Sequence, residues 1–135
     1  MKTALTKKEF NEYLDEMVTH YLHCALWTGY DESNPDDAWG DSLNENYDVD
    51  DFAKEAIKLA KKDCKKFLEA NANLLINIEA ELAGDLFWLT RNGHGEGFGN
   101  RDYGKDACSR LKKSAESFGT IHTIIGDSGK IYLEG

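Results

Sequence analysis

The stretch WLTRNGHGEGFGNRDYG, residues 88–104, holds five glycines, one histidine and two arginines among aromatic residues. Two kinds of chemistry fit those types. Arg91, Asn92, His94, Asn100 and Arg101 are donors that suit an anion or an acidic partner, and glycines let backbone approach a ligand closely. His94 beside Glu96 or Asp102 is the raw material of an acid–base dyad for a hydrolase or transferase. The stretch is no phosphate loop, because the Lys-Ser/Thr ending is missing and GHGEGFG matches GxGxxG only loosely. A purely structural reading explains the same glycines. Asn92-Gly93 is a strong turn signal, and Gly93, Gly95 and Gly97 would let the chain turn and bulge between two strands. Both readings stay open at this level.

His20, His23 and Cys24 fall within about one helical turn, yet Cys24 lies on the apolar stripe and His23 points away from it. No second Cys/His cluster completes a tetrahedral site, and the acids between Asp31 and Asp51 lack the EF-hand spacing for calcium. Neither a metal nor a cofactor is therefore expected. The three cysteines, Cys24, Cys64 and Cys108, have no CxxC spacing, which fits reduced thiols in a cytoplasm.

Charge is distributed unevenly. Net charge is −9. Thirteen acids and no lysine or arginine lie between Glu9 and Ala53. Asp31, Glu32, Asp36, Asp37, Asp41 and Glu45 would form an acidic surface that repels nucleic acid and attracts a basic protein surface. A solvated loop that aids solubility is the plainer reading. The chain has no apolar run long enough for a membrane span and no secretory h-region at its start. No membrane association is expected, and the oligomeric state is left open.

The elements that must position these residues follow from periodicity. Thr6 and Glu9 form a capping box. Phe10, Tyr13, Leu14, Met17, Tyr21, Leu22 and Ala25 then recur at three- and four-residue steps, predicting a helix of about 20 residues. Residues 29–48 carry the single proline and many Asp, Asn and Ser residues, and they read as a loop. Asp48 or Asp50 would cap a second helix running to about Ala70. Asn71 reads as a break before a third, shorter helix that stops at Gly84. LFWLT, residues 86–90, reads as an aromatic strand, with 97–99 as a short return strand. Residues 103–118 predict a further helix stopped by Gly119. Residues 120–125 and 130–133, joined through GDSG, predict a β-hairpin.

These segments assemble into one α+β domain over residues 1–135. Three N-terminal helices would pack on a small antiparallel sheet of three or four strands, with one further helix and a C-terminal hairpin. Phe87 or Trp88, Ile121, Ile125 and Ile131 would face the core, and the acidic loop would occupy about residues 29–50.

DLFWLTRNGHGEGF, Asp85 to Phe98, resembles a block found in small uncharacterised proteins of tailed phages and prophages. YLHCALW at 21–27, NENYDVDDFA at 44–53 and GDSGKIYLE at the C-terminal end echo the same group. AGDLFW departs from that group's AG-x-D-F-W through the position of the acid and Leu86. The resemblance implies a phage or mobile-element origin and an accessory role in the host cytoplasm. It implies no catalytic residue. Such proteins often act by binding and blocking a host factor, a host-defence protein among them. The leading expectation is thus a non-enzymatic protein that binds a host or phage protein through an acidic surface. The alternatives are a module for an anionic nucleotide-like ligand at residues 91–101, and a hydrolase or transferase built on His94.

Overall fold

The computed structural model describes residues 5–31, 41–42, 47–94, 97–100, 103–126 and 128–135. Its elements are the helices α1 (Lys7–Thr28), α2 (Lys54–Leu75), α3 (Ala80–Arg91) and α4 (Lys105–Glu116), with two short hairpins. The first hairpin pairs β1 (Tyr30–Asp31) with β2 (Asp41–Ser42), and the second pairs β3 (His122–Ile125) with β4 (Ile131–Glu134). The α+β mixture stands. A single sheet of three or four strands does not, because among the described residues each sheet has two strands.

α1 begins where its capping box puts it. Thr6 Oγ1 accepts the Glu9 N–H at 3.2 Å, and Glu9 Oε1 accepts the Thr6 N–H at 3.1 Å. Leu14, Met17, Tyr21, Leu22 and Ala25 are buried along one stripe, and the helix ends at Gly29. Asp48 caps a short 3-10 helix at Val49–Asp51, and Ala53 then opens α2. Asn71 is a break, with φ −126 and ψ 19, but the chain resumes the helix for one more turn. Its amide donates to Phe67 O and to Ser114 Oγ, which satisfies a buried polar group at the kink.

The largest departure from sequence expectation is α3. Residues 86–90 are helical, not a strand, and Gly84 lies inside the helix instead of stopping it. Here packing overrides the β preference of aromatic residues. Leu86, Phe87, Trp88, Thr90 and Arg91 are all buried, since α3 is covered on several sides. A Cβ at Gly84 would collide with Met17 O and lie 3.0 Å from Tyr21 N, so glycine is what lets α3 approach α1 at this crossing. Residues 97–99 are likewise not a return strand; Gly97–Asn100 is a 3-10 turn that drops Phe98 into the core.

The core is aromatic at its centre. Phe67 and Phe87 stack at 4.3 Å, and the Trp88 ring meets Tyr21 edge-on at 5.2 Å. Phe87, Trp88, Ile121 and Ile131 are buried, and Ile125 packs against the cluster from the hairpin. Tyr13 Oη lies 2.8 Å from Ile78 O and 3.1 Å from Leu75 O, tying α1 to the end of α2. β4 reaches back to the entrance of α2: Phe52 bridges Ile131 in parallel, and Ala53 N–H donates to Ile131 O at 2.8 Å.

Candidate functional site

The glycine-rich stretch turns out to be built inward at its first half. Arg91, the last residue of α3, is buried, with only 4% of its side chain exposed. Its Nη1 donates to Asp63 Oδ2 at 2.8 Å and to Tyr21 Oη at 2.9 Å. Its Nε donates to Gly119 O and its Nη2 to Phe118 O, at 2.9 and 3.0 Å. The guanidinium also lies over the rings of Phe87 and Phe118, 5.7 and 5.6 Å from their centroids. Arg91, offered by the sequence as a donor for an anion or an acidic partner, is thus spent on partners inside the fold. One cation binds α1, α2, α3 and the exit of α4 together, and burial holds the Tyr21 phenol well above its ordinary range. Asn92 is partly taken up as well, since its Oδ1 accepts the Ile121 N–H at 2.7 Å and its Nδ2 donates to Trp88 O at 3.0 Å.

His94 is exposed, and its backbone N–H donates to Leu89 O. Asn100 ends the 3-10 turn. Arg101, Glu96 and Asp102 lie outside the described residues, and with them both dyad partners expected for His94. Gly93 and Gly97 have φ of +69° and +52°, as a turn there requires. Thr90 Oγ1 accepts the Phe98 N–H at 3.1 Å, and a Cβ on Gly97 would run into Thr90 Oγ1. The acidic set fares differently. The backbones of Asp31 and Asp41 pair across β1 and β2. Glu32, Asp36, Asp37 and Glu45 lie outside the described residues.

A concave surface that sequence reading did not single out runs along α1 and α3. The two helices run in the same direction: Gly84 sits beneath Met17 and Tyr21, and Trp88 Nε1 donates to Thr28 Oγ1 at 2.7 Å. Glu9, Glu12, Glu16, His20, His23 and Trp27 follow one another at three- and four-residue steps on α1, and Glu81, Asp85 and Leu89 at four-residue steps on α3. Three adjoining hollows lie along these stripes. The first is framed by Glu9, Glu12, Glu16, Glu79 and Glu81, and the second by Asp15, Glu16, Thr19, His20 and Glu81. The third, about 420 Å³, is walled by His20, His23, Cys24, Trp27, Asp85 and Leu89. Glu16 and Glu81 border both of the first two hollows, and His20 the last two. The signal in the sequence was the stripe of Glu16, His20, His23 and Trp27, which the apolar stripe of the same helix overshadowed.

Electrostatics changes along the groove. Glu16 shares a hydrogen bond with Glu81, which raises the Glu16 carboxyl above its ordinary range. Glu81 is lowered, first by its own backbone N–H and then by Glu16. Burial raises Asp85, opposed by His20 and His23, and His20 Nδ1 stands 3.9 Å from Asp85 Oδ1. The Cys24 thiol, 3.8 Å from Asp85 O, is pushed up to about 12 by burial and then by Asp85. Burial thus disfavours the thiolate, the form that attacks an electrophile or binds a metal. Among the described residues no group of three His, Cys, Asp or Glu side chains is placed to hold a metal ion. No described helix is long and apolar enough to cross a membrane. Comparison with protein-family models, curated proteins and solved structures yields no match to this chain.

Proposed function

We propose that the chain is a non-catalytic accessory protein of a phage or mobile element that binds a host or phage protein with a basic surface. The observation that carries this reading is the crowding of carboxylates around one hollow. Glu16 and Glu81 share one hydrogen bond while Glu9, Glu12 and Glu79 border the same hollow. Carboxyls this close hinder one another's ionisation, the direction in which Glu16 is raised, and a cationic partner favours their charged forms on binding. The acidic run from Asp31 to Asp51 extends the same sign of charge, so a long basic surface would be met at more than one place. A host-defence protein with a surface suited to nucleic acid is one partner of that kind.

The nucleotide-binding alternative draws less support, because Arg91 and most of the Asn92 amide are spent on internal hydrogen bonds. The test is affinity capture from infected host lysate. A basic protein should be retained, should elute as salt shortens the Debye length toward about 3 Å, and should be lost when Asp31, Glu32, Asp36, Asp37, Asp41 and Glu45 are converted to amides. Retention of an acidic protein indifferent to salt would refute the reading.

A further inference from the structure

We infer that the groove between α1 and α3 is the docking site for a basic amphipathic helix of the partner, with one bulky apolar side chain of that helix seated between Trp27 and Leu89. The inference rests on the proposed binding of a basic protein and adds where and how the partner is held.

The third hollow is the starting point. Its wall is largely apolar, formed by the indole of Trp27, Leu89 and the buried, protonated Cys24. Trp27 is 66% exposed and borders the same hollow as Leu89. Aromatic side chains around a concave pocket are the usual seat of an interface anchor. His20, His23 and Asp85 complete the rim, and among the described residues no group of three His, Cys, Asp or Glu side chains is placed to hold a metal ion.

Charge complementarity decides the occupant. From the apolar hollow, the groove continues toward the N-terminal end of α1 over the hydrogen-bonded pair of Glu16 and Glu81 and on to Glu9, Glu12 and Glu79. Among the described residues Lys8 pairs with Glu12 there at 4.0 Å, and both are well exposed. An anionic ligand or nucleic acid is repelled along this course, and a purely apolar ligand would leave the acidic half unused. From Glu9 to Trp27 the helix spans roughly 27 Å at 1.5 Å per residue, about five turns of a partner helix. Lysine or arginine residues repeating every three or four positions on that helix would match the stripes of Glu12 and Glu16 on α1 and Glu81 and Asp85 on α3. This is helix-in-groove recognition, with a graded groove in place of a uniformly apolar one.

The test uses the full chain and three probes in calorimetric titration at low salt. The first is a lysine-rich amphipathic helical peptide of about 18 residues with one phenylalanine near the end that meets Trp27. The second is the same peptide with serine at that position, and the third is spermine. The phenylalanine peptide should bind about tenfold tighter than the serine peptide, the scale of one seated anchor. Trp27→Ala should erase that ratio, and Glu16→Gln with Glu81→Gln should weaken both peptides about equally. Amide shifts of the wild-type protein on titration should map to α1 and α3, which reads the site without any variant. Equal binding of the two peptides, full competition by spermine, or shifts confined elsewhere would overturn the groove. If groove variants are silent while neutralising Asp36, Asp37 and Glu45 abolishes binding, the groove is overturned and the acidic-segment reading survives. If neither peptide binds and the captured partner is not basic, the reading beneath it falls as well.

Discussion

Arg91 Nη1 stands 2.8 Å from Asp63 Oδ2, with the two side chains 4% and 14% exposed. This pair joins the end of α3 to the middle of α2, and the remaining guanidinium donors are taken by Tyr21, Gly119 and Phe118. Removing one member of a buried pair leaves the other charge uncompensated, which costs about 3–5 kcal/mol. Arg91→Ala should therefore lower the urea midpoint severely, and Asp63→Asn should lower it too. Arg91→Met with Asp63→Leu should cost less than Arg91→Ala alone, because no lone charge remains. A loss under about 1 kcal/mol for Arg91→Ala would contradict the buried placement.

Gly93 and Gly97 separate two effects that glycine can have. Both have positive φ, but a Cβ at Gly93 meets nothing within 4 Å whereas one at Gly97 meets Thr90. Gly93→Ala should cost about 1 kcal/mol from backbone conformation alone. Gly97→Ala should cost clearly more, and Gly97→Ala combined with Thr90→Ser should recover little, because the hydroxyl is retained. Equal thermal shifts for the two single variants would refute the Thr90 contact.

Asp85 has a raised carboxyl because burial disfavours its charge. A group whose folded-state pKa lies above its unfolded value adds stability below the ordinary aspartate range and loses that contribution as pH rises from there through the raised folded-state value. Asp85→Asn should consequently raise the denaturation midpoint at neutral pH and leave it unchanged below that range. A destabilised Asn variant at neutral pH would show that His20 outweighs burial.

Burial pushes the Cys24 and Cys64 thiols upward, Cys24 to about 12. All three cysteines are buried. Iodoacetamide should label the native protein slowly at mildly alkaline pH and all three thiols rapidly in urea, as mass spectrometry would read. Rapid single labelling of the native chain would sink this expectation.

Thr6→Ala should cost about 1 kcal/mol through loss of the N-cap bond, and Glu9→Ala should cost less. Chemical denaturation distinguishes them. If neither shifts the midpoint, the cap adds nothing to the stability of α1.

The legible parts of this chain are those in which local and global preferences agree. Thr6 and Glu9 announced the start of α1, and the apolar steps of α4 and the C-terminal hairpin were readable without tertiary information. α3 was not, because Leu86, Phe87 and Trp88 carry strand preference while their burial is decided by α1 and α2. Gly84 resembled a stop signal, since nothing local says that Met17 O will lie against it. Arg91 looked like a turn residue for a similar reason: its partners Tyr21, Asp63 and Gly119 come from three distant parts of the chain. The groove escaped notice because its two stripes become one surface only when α1 and α3 lie side by side.

The clasp of Phe52 and Ala53 onto Ile131 has a consequence for the order of assembly. α1, α2, α4 and the C-terminal hairpin are built from contacts between near neighbours, which form on the fast timescales of local structure. The clasp instead joins the entrance of α2 to β4, and the loop entropy it demands must be met before its contacts repay it. By this argument the clasp should form late, after the local elements. The Ala53 amide, bonded to Ile131 O, then serves as a natural clock hand: in pulsed hydrogen exchange its protection would date the moment when the two halves of the chain close on each other.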